Sequence, residues 1–122
     1  MKPLLIIGLG GGLGSIFRCL LQIYAGKTLP MAFPVGTFLV NIIGCFLIGL
    51  FFGLSNKYLW LSLEWRLFLI TGLCGGFTTF STFSYESVGL FRQGNYPVLL
   101  LYIFTSILAG FLATLGGSAL IR

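Results

Sequence analysis

Long apolar runs, separated by short polar or turn-forming stretches, divide the chain into four segments. They cover about residues 3–25, 33–54, 62–92 and 96–121. Because a helix needs about 20 apolar residues to cross a bilayer, four crossings use nearly all of the 122 residues. The pattern therefore predicts an all-α membrane protein whose four transmembrane helices form a single membrane domain, residues 1–122.

Composition supports this class and excludes others. Hydrophobic residues make up 57% of the chain and charged residues 7%, which is far from the composition of soluble domains. The apolar runs are continuous, whereas the strands of an outer-membrane barrel alternate apolar and polar residues. The N-terminal run is Gly-rich and continues past Arg18 without a cleavage-like site, so we do not interpret it as a secretory signal.

The chain carries few groups that perform catalysis. It has two carboxylates and no histidine, so the usual residues for acid–base or covalent catalysis are nearly absent. Cys19, Cys45 and Cys74 lie in apolar segments at spacings that match no metal motif. We expect a protein that is not an enzyme.

The third segment is too long for one straight helix and contains the stretch GGFTTFSTFSYE, residues 75–86. Gly75 and Gly76 have poor helix propensity and precede a run of hydroxyl and β-branched residues. We therefore expect the helix to break near residues 75–79. Broken helices at membrane depth are buried or line a cavity, and their freed carbonyls often coordinate a monovalent cation.

Aromatic residues follow in the same stretch at a spacing of three, at Phe77, Phe80 and Phe83. Such a stripe usually serves packing. The edge of an aromatic ring is electropositive, however, and here the neighbours are hydroxyls, so the stripe also suits contact with a small anion.

A lone amide, Asn41, lies in the second segment on one helical face with Thr37 and Gly44. Burying the amide without a partner costs a few kcal/mol, so Asn41 must form hydrogen bonds. Two interpretations stay open: a bond to a neighbouring helix, or an NH₂ group presented to a permeating anion.

The fourth segment carries a polar ladder with a spacing of four residues. Its members are Tyr102, Ser106, Gly110, Thr114 and Ser118. The ladder suits either contact between helices or a track along which an ion passes from hydroxyl to hydroxyl.

The first segment shows a similar spacing of small residues, at Gly8 and Gly12 and at Gly10 and Gly14, which favours close helix packing. Arg18 follows at the far end of this helix. It either extends to the membrane surface or contacts backbone carbonyls, and we do not assign it to a pore.

Basic residues give almost no preferred orientation in the membrane. The N-terminus, the second loop and the C-terminus share one side with Lys2, Lys57, Arg66 and Arg122; the other side has Lys27 and Arg92, with Arg18 close to it. A chain with so little bias either inserts in both orientations and pairs as an antiparallel homodimer, or inserts one way through a weak bias.

These residues also carry a resemblance. The segments GLCGGFTTFSTFSYE and PVGTFLVNIIGCFLIG, with an Arg at the far end of a Gly-rich first helix, resemble the small bacterial fluoride channels of the Fluc or CrcB family. The resemblance covers nearly the whole chain. It implies a dual-topology antiparallel homodimer in the bacterial inner membrane, with two fluoride pores and a central structural Na⁺.

The resemblance also implies roles for individual residues. Backbone carbonyls of Gly75 and Thr78 in both subunits would hold the Na⁺. The fluoride pore would be lined by Asn41, Phe80, Phe83, Tyr102 and Ser106, with Ser81 and Thr82 as further candidates. Arg18, Thr37 and Glu86 are candidates for structural or vestibule roles. Gly110 stands where some members have a hydroxyl, so the polar track is expected to be shorter here.

The function implied is passive export of fluoride. The neutral acid crosses membranes and dissociates inside, and the membrane potential then drives the anion out with about 2.3 kcal/mol per charge per 100 mV. The expected partners are fluoride, a second copy of the chain and the lipid bilayer, with no nucleic acid.

The alternatives to a channel are a small exporter and a structural assembly protein. A small dual-topology exporter of drugs or cations needs an intramembrane carboxylate. The only candidates are Glu64, next to the interfacial Trp60 and Trp65, and Glu86, near the end of its helix. A purely structural assembly protein would leave the hydroxyl and amide positions unexplained.

Overall fold

The computed structural model describes residues 1–28, 32–58 and 61–121, and within these ranges all regular structure is helical. The first two helices are α1 (Lys2–Thr28) and α2 (Val35–Lys57). A third span, Leu63–Arg92, is followed by a helix at Tyr96–Ala119. All four stretches are long and apolar enough to cross a membrane, as predicted. Trp60 and Arg122 lie outside the described residues.

The third span is composed of four pieces. It begins with α3 (Leu63–Arg66), continues as a π-helical segment (Leu67–Cys74) and a short α4 (Gly75–Phe77), and resumes after two extended residues as α5 (Phe80–Arg92). The helix at Tyr96–Ala119 is therefore α6. π-helical turns are rare and frequently lie at functional sites, and this one directly precedes the break.

The helix α1 packs against the third span through glycines. A Cβ atom on Gly10 would lie 3.1 Å from the Cα of Gly72, and one on Gly76 would overlap with the backbone of Gly11. Small residues let the two backbones approach this closely. A Cβ atom on Gly8 or Gly12 would meet nothing within 4 Å, so only one of the two predicted glycine rows forms the contact.

The helix α2 packs against α6 through hydroxyl groups and further glycines. Thr114 Oγ1 donates to the Cys45 carbonyl at 3.2 Å, and Ser118 Oγ donates to the Gly49 carbonyl at 3.2 Å. A Cβ atom on Gly117 would overlap with Phe46 O. This half of the predicted polar ladder therefore joins helices.

The end of the bundle where α2 ends and the third span begins carries basic residues, as predicted. Lys2 Nζ lies 3.3 Å from Glu64 Oε2, and Lys57 Nζ donates to the Ile121 carbonyl at 2.9 Å. These contacts place the N-terminus, the end of α2, the start of the third span and the end of α6 on one side.

Candidate functional site

The break in the third span lies at Thr78 and Thr79. Their φ and ψ angles are −83° and 154° for Thr78 and −149° and 112° for Thr79, which is extended backbone. The prediction of a break near residues 75–79 is confirmed, but the expectation that Gly75 and Gly76 form it is wrong. Both glycines are helical. Because Gly76 has no side chain, it can pack against the backbone of Gly11.

Asn41 from α2 holds the break through both atoms of its side-chain amide. Its Nδ2 donates to the Thr79 carbonyl at 3.1 Å, and its Oδ1 accepts from the Thr79 N–H at 2.8 Å. Of the two interpretations left open, the bond to a neighbouring helix is present. One N–H of the amide is left for another acceptor.

The break separates the last four carbonyls before it, those of Gly75 to Thr78, from their usual helical donors. In a continuous helix the N–H of Thr79 would bond Gly75 O, and the N–H of Thr82 would bond Thr78 O. Here the Thr79 N–H bonds Asn41 and the Thr82 N–H donates to Thr79 Oγ1 at 3.2 Å. Gly75 and Thr78 are the two residues to which the family resemblance assigns the carbonyl ligands of Na⁺.

Other side chains bond the neighbouring carbonyls. Arg18 Nε donates to Gly76 O at 3.0 Å, and Thr78 Oγ1 donates to Cys74 O at 3.0 Å. Arg18 therefore makes a carbonyl contact at the break, one of the two roles expected for it.

A groove of about 340 Å³ opens beside the break, between α2, α5 and α6. It brings together four of the predicted pore residues with Thr78. Its lining consists of Asn41, Gly44, Cys45, Ile48, Thr78, Thr79, Phe80, Phe83, Ser106 and Ile107. The groove therefore joins an amide, hydroxyls and two aromatic rings in one place.

The aromatic stripe is shorter than predicted. Phe80 and Phe83 share the groove with ring centroids 5.8 Å apart, and Phe80 is 78% exposed. Phe77 is buried and lies before the break, so the two extended residues rotate it away from the other two. The expectation that all three form one stripe is wrong for Phe77.

Tyr102 lies next to the groove and is fully buried. Its ring centroid is 4.9 Å from that of Phe83, and its Oη donates to Glu86 Oε1 at 3.2 Å. Thr37, 2% exposed, lies close to the Tyr102 hydroxyl and accepts from Gln22 Nε2 at 3.1 Å. Thr37 and Glu86 thus belong to a polar cluster around Tyr102.

Ser81 and Thr82 lie in the first turn of α5, outside the groove lining. Thr79 Oγ1 donates to Thr82 Oγ1 at 3.1 Å and lies 3.4 Å from Ser81 Oγ. These hydroxyls form a cap around the restart of the helix.

Sequence reasoning assigned no role to Thr79 and did not mention Gln22. Thr79 is the N-cap of α5, and a threonine just before a helical run is a recognisable capping signal. Gln22 carries no such signal, because its partner Thr37 is known only from the packing of α1 against α2.

The groove lining offers neutral amide and hydroxyl donors, and Arg18 adds a charged donor at the break. Among the residues that the structure describes, no group of three His, Cys, Asp or Glu side chains is placed to hold a metal ion. The break itself offers backbone carbonyl oxygens, including those of Gly75 and Thr78.

Comparison with known proteins gives consistent matches over nearly the whole chain. The family model described as CrcB-like protein, Camphor Resistance (CrcB), matches residues 5–118. A Bacteroides fragilis protein named fluoride-specific ion channel FluC is 50% identical over 98% of this chain and 96% of its own length. Proteins of the same name from Azobacteroides pseudotrichonymphae (45% identical, covering 96% and 94%) and Agrobacterium fabrum (43% identical, covering 100% and 98%) are also similar.

Proposed function

This chain belongs to the CrcB family, and we propose that it is a fluoride-selective channel, a multi-pass protein of the bacterial inner membrane. It exports cytoplasmic fluoride passively, down the electrochemical gradient, and so lowers fluoride toxicity. It is a channel and not an enzyme. The observation that carries the proposal is the groove that unites Asn41, Phe80, Phe83 and Ser106, in a chain whose relatives are named fluoride-specific channels.

The groove offers what a small, strongly hydrated anion needs. A pore must replace the water contacts of the ion with donors, and must do so weakly enough for the ion to leave. The free N–H of Asn41, the Ser106 hydroxyl and the ring edges of Phe80 and Phe83 are such donors. Tyr102 follows beyond Phe83 with its hydroxyl bonded to Glu86, while Ser81 and Thr82 flank the groove.

A structural Na⁺ at the break forms the second part of the proposal. The freed carbonyls of Gly75 and Thr78 are neutral oxygen ligands at a helix break, which suits a monovalent cation. The cation would supply positive potential to an anion path close by. Thr78→Ser keeps the backbone ligand, so we expect it to preserve Na⁺ dependence and flux.

A second copy of the chain completes the cation site in this proposal. One protomer supplies two carbonyls, and an antiparallel partner doubles them. Gly75 is exposed, and a Cβ atom there would meet only Ile70 O, at 3.9 Å. One protomer therefore has room for a Cβ atom at this position, and we expect Gly75→Val to disrupt the dimer and its bound Na⁺.

Fluoride efflux from proteoliposomes tests the channel directly. Vesicles loaded with potassium fluoride and treated with valinomycin should release fluoride without a proton gradient, as measured with a fluoride electrode. Vesicles without protein are the control. Absence of protein-dependent efflux would contradict the proposed function, and movement of ²²Na⁺ together with fluoride would make the protein a symporter.

The same vesicles address the alternative exporter function. Glu64 is exposed and pairs with Lys2 at one end of the bundle, and Glu86 accepts from Tyr102. Neither is a free carboxylate at mid-membrane, so the alternative is not favoured. Proton-coupled uptake of an organic cation would reverse this assignment.

Dual topology is tested in intact cells. Single cysteines placed at Lys27 and at Lys57, at opposite ends of the bundle, should each react with an impermeant thiol reagent from both sides of the membrane. The three native cysteines are first replaced. Labelling of each site from one side only would refute dual topology.

A further inference from the structure

Asn41 and Thr79 exchange two hydrogen bonds in the way that two paired residues do in a β-sheet. We propose that Asn41 is a positioning residue for the Na⁺ site. By bonding the N–H of Thr79, it keeps the carbonyl of Gly75 free for the cation. This inference rests on the proposed function, from which it takes the Na⁺ site.

The competition is between two acceptors for one N–H group. Without Asn41 as an acceptor, the Thr79 N–H would be free to bond Gly75 O. Gly75 O is its acceptor in a continuous α-helix. The bond to Asn41 Oδ1 is 2.8 Å long. The side chain thus removes the donor that would otherwise take a cation ligand.

A neighbour of Asn41 on α2 also contacts the break. Gly44, one helical turn away on the same face, lacks a Cβ atom where Thr78 Cγ2 packs. Thr78 lies against α2 at this contact, while Asn41 bonds Thr79 at both backbone groups. Two successive residues of the break are therefore held by two residues of one helix.

The amide suits this position because it both donates and accepts. An aspartate accepts from the Thr79 N–H but does not donate to its carbonyl, and a leucine of similar size does neither. Asn41 also lines the groove. One side chain therefore touches both the break that frees the cation ligands and the proposed path of the anion.

The test measures Na⁺ dependence of stability, which requires no flux. Purified protein is unfolded by heat while Na⁺ is titrated against N-methylglucamine at constant ionic strength. We expect the Na⁺ concentration that gives half the stabilisation to rise about tenfold or more in Asn41→Leu, which loses two hydrogen bonds. Ser106→Ala, which alters the groove without contacting Thr79, is the matched control and should keep the wild-type value.

Asn41→Asp tests the loss of only one of the two hydrogen bonds. It retains the acceptor for the Thr79 N–H, so its Na⁺ midpoint should stay within about threefold of the wild type, far below that of Asn41→Leu. A merely structural role for Asn41 would lower the unfolding temperature equally in both cations and leave the midpoint unchanged. That result would overturn the inference.

Hydrogen exchange of the Thr79 amide in the wild-type protein gives a readout that no misfolded variant can obscure. The amide should exchange slowly, as a bonded group does. Exchange as fast as in a free peptide would refute the bond to Asn41. A wild-type protein with no Na⁺-dependent stability would instead contradict the Na⁺ site. If Na⁺ stabilises the wild type and Asn41→Leu has the same Na⁺ midpoint, only this inference is contradicted.

Discussion

The two halves of α6 carry polar side chains at the same spacing but face different neighbours. In the C-terminal half, Thr114 and Ser118 donate to α2 carbonyls at 3.2 Å each. In the N-terminal half, Ser106 lines the groove and Tyr102 bonds Glu86. A periodic row of hydroxyls thus predicts a polar face, while the facing helix decides whether that face packs or lines a space.

The size of the neighbouring residues explains the difference. Along the C-terminal half, glycines such as Gly49 and Gly117 bring the backbones of α2 and α6 so close that a Cβ atom would overlap. Along the N-terminal half, the ring of Phe83 packs against Tyr102, and the aromatic side chains leave a groove open beside Ser106. Close contact therefore makes one half structural, and separation leaves the other half open, where we propose that the ion passes.

The largest expected effect concerns the closely packed half. Gly117→Ala places a Cβ atom against Phe46 O, and overpacking of this kind costs about 1–3 kcal/mol. Gly116→Ala, at the adjacent position, meets nothing within 4 Å and should be neutral or stabilising. Thermal unfolding of the two variants is the measurement. Equal stabilities would show that α2 and α6 are not held at this distance.

The next effect concerns the aromatic residues of the open half. Phe80→Ile and Phe83→Ile keep apolar volume but remove the electropositive ring edge, so fluoride efflux should fall about tenfold or more, equivalent to about 1.4 kcal/mol of barrier. The yield of assembled protein should change much less. Phe104→Ile, an exposed ring on α6 outside the groove lining, is the control. Normal flux in both groove variants would return these rings to a packing role.

The four spans were predictable because the bilayer imposes length and hydropathy on each helix independently of the others. The approximate position of the break was predictable for a similar reason, since low helix propensity is a local property. Its precise position was not. Gly76 serves the contact with Gly11, and a residue used for packing between helices has the same local signal as one that ends a helix.

The site shows the same limit. Sequence reasoning established that Asn41 needs a partner, because a buried amide without hydrogen bonds is costly. It could not choose Thr79, since the choice depends on the register of α2 against the third span. The π-helical segment before the break was not predicted either. A continuous apolar run does not distinguish a π-helix from an α-helix.

A smaller effect is expected from the hydroxyls of the packed half. Ser118→Ala removes the bond to Gly49 O, and a hydrogen bond of this kind contributes about 0.5–1.5 kcal/mol. The unfolding temperature should fall while fluoride efflux per folded protein stays the same. A loss of flux without loss of stability would place Ser118 on the ion path and contradict a purely structural role for the C-terminal half of α6.

The smallest effect is expected at Ser106. Ser106→Ala removes one of several donors along the groove, so efflux should fall only about threefold, less than 1 kcal/mol of barrier. Stability should change by less than about 0.5 kcal/mol, as for other substitutions away from packed features. Thr105→Ala is the adjacent control, because its hydroxyl donates to Leu101 O at 2.6 Å within its own helix. If Ser106→Ala and Thr105→Ala alter efflux equally, a hydroxyl in the groove has no advantage over one outside it, and the open half of α6 loses its assigned role in conduction.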